Sequence, residues 1–285
     1  MNSITLKDSR TLAYAEYGNP KGKPVFFFHG SPGSRLFTPP DEVTKRQHVR
    51  LICTDRPGYG ASTFQPGRRL LDWPQDICEL ADALSIKKFY IVGHSGGGPH
   101  TLACAYTLPD RILAAATLSG AGPVETPNVS EGLIPLNSFG IKYGRYFPWP
   151  IFYGIAWLTY RQRCADPAKF MQSEIGKRPP ADDAIFSDPE IFNLCERTER
   201  EAFCNGLHGL AWDARLITCP WGFSLKEIKP VVHIWHGTAD NVTSLNMANY
   251  MAECIPDSRL HLCKDEGHML LIPHWEEILK NLIAK

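Results

Sequence analysis

Ser95 stands in Gly93-His94-Ser95-Gly96-Gly97-Gly98, four glycines in six positions, directly after the apolar run Phe89-Tyr90-Ile91-Val92. A serine hydroxyl is a poor nucleophile at neutral pH. It becomes a useful one when a base lies within hydrogen-bond reach and a third group orients that base. The spacing G-x-S-x-G suits a serine on a strained turn between a strand and a helix, where glycines let backbone segments approach closely and the hydroxyl projects above a sheet. The base and the acid must then come from elsewhere in the chain. His268, in Asp265-Glu266-Gly267-His268, and Asp240, in His236-Gly237-Thr238-Ala239-Asp240, each follow a short apolar run, which places both in loops at strand ends. Asp265 and Glu266 compete with Asp240, but they adjoin His268 too closely in sequence to reach its distal ring nitrogen. His94 is expected to pack or hydrogen-bond locally. Acyl transfer also needs donors for a developing oxyanion. The backbone N–H of Gly96 is one candidate, and that of Ser31, in His29-Gly30-Ser31-Pro32-Gly33-Ser34-Arg35, is the other.

These residues need a scaffold that brings distant loops to one edge. Short apolar runs at Pro24 to His29, Arg50 to Asp55, Phe89 to Val92, Ile112 to Leu118 and Val231 to His236 read as strands buried on both faces of a parallel sheet. A helix over Pro99 to Leu108, another over Ser244 to Glu253, a strand at Arg259 to Cys263 and a last helix from Leu270 to Ile283 continue an α/β alternation. Ile4 to Leu6 and Leu12 to Tyr17 add an antiparallel pair at one edge. The alternation breaks after Leu118 for about a hundred residues rich in proline, tryptophan and tyrosine, with helical stretches at Phe139 to Tyr146 and Pro189 to Phe203. The expected organisation is one core, residues 1–122 and 223–285, interrupted by a helical insertion over residues 123–222.

Composition narrows the function classes. Thirty basic and thirty acidic residues balance to zero, which removes a broad attraction to nucleic acid or anionic membranes and points to a small-molecule substrate. The first residues, Met1 to Lys7, hold no apolar run, so no secretory signal is expected, and the apolar stretch from Ile151 to Tyr160 is too short to be an integral membrane segment. Nine scattered cysteines without a C-x-x-C pair suit reduced thiols, so a cytoplasmic location is expected and a zinc site is not. Asn128-Val129-Ser130 fits a glycosylation sequon by chance. Asp182-Asp183 and Glu196 to Glu201 read as solvated helix faces. Nothing in the residues specifies an oligomeric state.

HGSPGSR after the first core strand, DRPGYGAS from Asp55, GHSGGGP at the serine turn, HGTAD at Asp240 and EGH at His268 together resemble the α/β-hydrolase fold superfamily, in the order that superfamily shows. The resemblance implies a mostly parallel central sheet flanked by helices, a helical lid inserted after the sixth strand at Pro123 to Gly222, and a Ser95-Asp240-His268 triad in the chain order of that fold. The His-Gly-x-Pro-Gly loop is similar to that of proline iminopeptidase-type members. Two departures set aminopeptidase activity behind other chemistry: Ser31 replaces a second glycine, and Gly96 replaces the tryptophan after the nucleophile. The elbow carries serine where epoxide hydrolases and haloalkane dehalogenases carry aspartate.

The expected function is a serine hydrolase that cleaves an ester, lactone or related acyl bond of a mainly apolar small molecule, with no metal and no organic cofactor. A lyase, an acyltransferase or a C–C bond-cleaving enzyme would carry the same residues, and a ligand-binding receptor could retain the triad as a relic. Phe139, Tyr143, Phe147, Trp149, Phe152, Tyr153 and Trp157 either pack the insertion onto the core or line an apolar pocket above Ser95.

Overall fold

The structure, a computed structural model, describes residues 2–284. Eight strands form one sheet: β1 (Asn2–Thr5), β2 (Thr11–Gly18), β3 (Lys23–Phe28), β4 (Val49–Thr54), β5 (Phe89–His94), β6 (Ile112–Leu118), β7 (Val232–Gly237) and β8 (Ser258–Cys263). Their spatial order is β1-β2-β4-β3-β5-β6-β7-β8. β2 runs antiparallel to β1 and β4, and every later pairing is parallel.

The apolar runs form strands because both sheet faces are covered. Side chains alternate between two layers: Phe26, Phe28, Phe89 and Ile91 enter one, while Val25, Phe27, Tyr90 and Val92 enter the other. The first layer is closed by α2 (Trp73–Ala83), α3 (Gly97–Thr107) and α10 (Leu245–Cys254), through residues such as Trp73, Ile77, Leu102 and Met251. The second is closed mainly by α11 (Leu271–Ile283), whose Trp275, Ile278, Leu279 and Leu282 form a one-sided apolar stripe, with Val43 of the short α1 (Asp41–Arg46) packed alongside.

Between β6 and β7 the chain forms six helices: α4 (Pro135–Tyr143), α5 (Trp149–Cys164), α6 (Pro167–Glu174), α7 (Pro180–Phe186), α8 (Pro189–Ala202) and α9 (His208–Ile217). Proline in the first turn starts five of them, where its missing N–H removes nothing. Asp166 and Asp188 cap α6 and α8 by accepting the N–H groups of Lys169 and Glu190. This segment meets the core through Tyr59, Phe152, Ala156, Phe203 and Leu210.

The aromatic residues of the segment divide by position. Phe152 is buried and Phe147 and Trp149 are half-buried, whereas Phe139, Tyr143, Tyr153 and Trp157 are exposed. The helix expected over Phe139 to Tyr146 ends at Tyr143 and tightens into a 3-10 turn over Gly144–Tyr146. Among the described residues, no helix is long and apolar enough to cross a membrane.

Candidate active site

Parallel register brings the carboxyl ends of the central strands to one edge: Phe28 lies beside Gly93, His94 beside Leu118, and Gly237 beside Cys263. Such an edge is where ligands bind in open α/β sheets. Ser95 leaves β5 with φ of 53°, the left-handed region that a β-carbon disfavours. Its backbone holds that shape because Ser95 N–H donates to Leu118 O at 2.9 Å, while its carbonyl accepts from Gly98 at 2.9 Å and Ala121 at 3.1 Å. A β-carbon at Gly97 would stand 2.2 Å from the Phe28 carbonyl oxygen, so the helix after the turn can approach the sheet only as glycine. α3 accordingly starts at Gly97, two residues before the expected Pro99.

Asp240 follows β7 and His268 follows β8. The Nδ1 of His268 lies 2.9 Å from Asp240 Oδ2. Asp240 is buried, and its oxygens also accept Val242 N–H at 2.8 Å, Thr243 N–H at 3.0 Å and the Thr243 hydroxyl at 2.8 Å. Burial alone would favour the acid form of Asp240, but the His268 ring and these donors hold its carboxyl far below the usual carboxylate range. The same pairing acts on His268: burial opposes the imidazolium, and the neighbouring carboxylate outweighs it, raising the affinity of the ring for a proton above the ordinary value. An aspartate that fixes Nδ1–H leaves Nε2 as the nitrogen free to exchange a proton. The His268 ring takes Asp240 rather than its sequence neighbour Glu266, whose carboxylate lies 3.6 Å from His274 instead. His94 Nε2–H donates to the His268 carbonyl at 3.1 Å, with its ring on Phe37, so the residue before the serine holds the backbone of the histidine.

The loop after β3 lies against the serine. A β-carbon at Gly30 would stand 3.4 Å from that of Ser95, and one at Gly96 would fall 2.4 Å from the Ser31 hydroxyl. Ser31 therefore fills the space that any side chain after the serine would need, and glycine at 96 follows from serine at 31. The Gly30 carbonyl accepts His29 Nδ1–H at 2.6 Å and Arg56 Nη2–H at 3.1 Å. Because a trans peptide points its C=O and N–H in opposite directions, Arg56 sets the direction of the Ser31 N–H.

Sequence reasoning did not find the groups behind this loop. Asp213 of α9 is fully buried between Arg56 and Arg68, accepting from Arg56 at 2.6 and 2.9 Å and from Arg68 in a still closer contact. His100 Nδ1–H donates to the Gly96 carbonyl at 3.0 Å, so its Nε2 accepts from Arg68 at 3.4 Å, and burial keeps this ring neutral by pushing its pKa to about 3. The available signal was an aspartate inside the apolar helical run Gly209-Leu210-Ala211-Trp212-Asp213. A second correction concerns Asp182, expected to be solvated. It is buried, and the nearby acidic run is paired as well, Glu199 with Arg163 at 2.5 Å and Glu201 with Arg35 at 2.7 Å. No cluster of histidine, cysteine and carboxylate side chains fit for a metal ion occurs among the described residues.

A probable proline iminopeptidase of Leptolyngbya boryana is 36% identical over 106 residues, which cover 36% of this chain and 33% of the relative. The chain thus spans about a third of the length of that curated relative. A hydrolase from Pseudomonas aeruginosa PA01 superposes over 100% of this chain and 98% of its own with a TM-score of 0.73 at 18% identity. An esterase from Exiguobacterium antarcticum does so over 99% and 97% with a TM-score of 0.70 at 21% identity. At those identities the likeness speaks for the fold. A sequence-family model for the alpha/beta hydrolase family matches residues 25–280, from within β3 to within α11. Covering nearly all of the parallel sheet and every loop at its carboxyl edge, that match makes the chain a member of the alpha/beta hydrolase family.

Proposed function

We propose that the chain is a serine hydrolase that opens ester or lactone bonds of uncharged, mainly apolar small molecules. The observation that carries this reading is the 2.9 Å pairing of His268 Nδ1 with buried Asp240, in a sheet whose same carboxyl edge holds Ser95 at φ of 53°. Ser95 Oγ attacks the carbonyl carbon while His268 Nε2 takes its proton, and the N–H groups of Ser31 and Gly96 receive the oxyanion. The C–O bond to the alcohol then breaks, and His268 returns the proton to the departing oxygen. Water attacks the acyl-enzyme with the same base, releasing the acid and restoring Ser95. Residues 123–222, between the two parts of the core, serve as a lid.

The preference for an uncharged substrate rests on the occupied state of the neighbouring charges. Asp213 is held by two guanidinium groups, Asp240 by His268 and Thr243, and Asp182 by two backbone N–H groups. None of these carboxylates is left to anchor the amino terminus of a peptide, while the apolar Ile217 lies near Gly96.

A fluorophosphonate probe should label the protein at Ser95, and p-nitrophenyl esters or lactones should turn over faster than proline p-nitroanilide. Faster cleavage of the anilide would overturn the substrate assignment. Labelling without ester turnover would favour the lyase or transferase reading.

The pH profile is a separate expectation. His268 must be neutral to accept the serine proton, and Asp240 raises its affinity for a proton, so kcat/KM should rise with pH along a single acid limb whose midpoint lies above 6.5. A midpoint at or below 6.5 in a steady-state profile would contradict the role of Asp240.

A further inference from the structure

Asp182 lies in the first turn of α7, within the helices between β6 and β7, yet it touches the loop that carries His268. Its Oδ2 accepts the His268 N–H at 2.8 Å and its Oδ1 accepts the Met269 N–H at 2.9 Å. The contact is close enough to dictate the sequence beneath it: a β-carbon at Gly267 would stand 2.4 Å from the Asp182 carboxylate. α7 is tied down on its other side as well, since Asp183 accepts the Gly176 N–H at 2.8 Å.

His268 is thereby fixed from three directions. β5 supplies His94 to its carbonyl, the loop after β7 supplies Asp240 to its ring, and the lid supplies Asp182 to its N–H. The first two anchors are side chains of the core, although the loop after β7 also meets the lid through Asn241 with Ile134 and Lys177 and through Val242 with Asn137; only the third anchor is itself a lid side chain. The third leaves with the lid, and it would leave two adjacent backbone donors, those of His268 and Met269, without their acceptor.

We propose that Asp182 is a positioning residue that makes the catalytic base conditional on lid docking: with α7 seated, its carboxylate sets the backbone of His268, and with α7 displaced the base is released. This rests on the reading of His268 as the base. The carboxylate acts on the ring by charge as well as by position. The charged and titratable groups around His268 are Asp240, Asp182, the more distant Arg163, and the rings of His94 and His236, which burial keeps neutral. Asp182 therefore adds to Asp240 in stabilising the imidazolium, and Arg163 opposes both. Removing the Asp182 charge shifts the balance toward the neutral ring.

The test is Asp182→Asn, which preserves size but removes the charge and turns a donor toward one of the two N–H groups. Fluorophosphonate labelling, followed from pH 5 to 9, should slow by up to about 100-fold at its plateau, the scale of an ångström misplacement of a reacting group. The acid limb should also move to lower pH. A purely structural role would lower the rate without moving the limb. Hydrogen exchange of the 267–270 backbone, read by mass spectrometry, should accelerate in the variant whether or not the protein has activity. An unlabelled wild type would defeat the hydrolase reading, and the exchange would then still judge the lid contact. An unmoved acid limb in a labelled, folded variant, or unchanged exchange, would overturn the proposal. Should Asp182→Asn fail to fold, Gly267→Ala disturbs the same contact from the core side and should shift the limb in the same direction, an unmoved limb being the contrary result.

Discussion

Ser95→Ala should fold as the wild type does and turn over ester substrate about a million-fold more slowly, the loss typical when the nucleophile of a serine triad is removed. Stability should be preserved because alanine keeps the β-carbon already accommodated at φ of 53°, and the backbone bonds to Leu118, Gly98 and Ala121 do not involve the hydroxyl. The stronger form of the prediction concerns coupling. His268→Ala should cost about as much as Ser95→Ala, and the double variant no more than either, because in the proposed mechanism the two groups act together in one proton transfer and attack. Asp240→Asn should cost less, roughly 10⁴-fold, by presenting the wrong hydrogen-bond partner to Nδ1. Additive losses, or a Ser95→Ala enzyme retaining a tenth of the wild-type rate in a burst-free ester assay, would mean that another group makes the attack.

The parts of this site legible in the sequence are those with local signals. Ser95 follows a β-branched run and precedes glycines; Asp240 and His268 each follow a short strand. A reader who infers a parallel sheet also infers that those loops share an edge, and the structure places Asp240 and His268 at hydrogen-bond distance. The supporting carboxylates lack such signals. Asp182 in the first turn of α7 looks like any acidic residue placed to suit a helix N-terminus, and its acceptor role depends on N–H groups 86 residues away. Asp213 pairs with Arg56 across 157 positions. Neither distance is written in periodicity or composition, and a balanced charge count conceals both. The aromatic residues of the helical segment carry no such local signal either: Phe152 of α5 is buried while Tyr153 and Trp157 of the same helix are exposed.

The two buried carboxylates also clarify how the halves of the candidate site are held. Asp182 holds the loop of His268, and Asp213 holds the loop of Ser31, directly through the Ser31 hydroxyl and indirectly through Arg56. Both come from the segment between β6 and β7, and both act on backbone groups of the core. Replacing the segment's surface should therefore be tolerated far better than replacing either aspartate.

The larger stability effect is expected at Asp213. Asp213→Asn keeps the shape but leaves Arg56 and Arg68, both fully buried, without their counter-charge. Breaking a buried pair in this way typically costs about 3–5 kcal/mol, since the remaining charge has no solvent to return to. For a chain of this size that corresponds to a fall in Tm of roughly 10 °C. Burial would raise the pKa of Asp213, but the two guanidinium groups win and hold it far below the usual range. A group with a depressed folded pKa stabilises at every pH above its unfolded value, near 3.9, and loses that contribution only as the pH falls further. The difference between wild type and Asp213→Asn should therefore stay constant from pH 5 to 8 in calorimetry and shrink below about pH 4. A cost under 1 kcal/mol at pH 7 would show that the network contributes little. A second arm separates stability from positioning. The triple variant Arg56→Met, Arg68→Met, Asp213→Leu removes every buried charge at once, and such replacements often recover stability. It cannot restore the guanidinium that holds the carbonyls of His29 and Gly30, so its labelling by fluorophosphonate should remain slow even where its Tm recovers. Recovery of both would reduce Arg56 to a packing element, whereas recovery of Tm alone would tie the placement of Ser31, whose hydroxyl meets both Arg56 and Asp213, to the buried charge behind it.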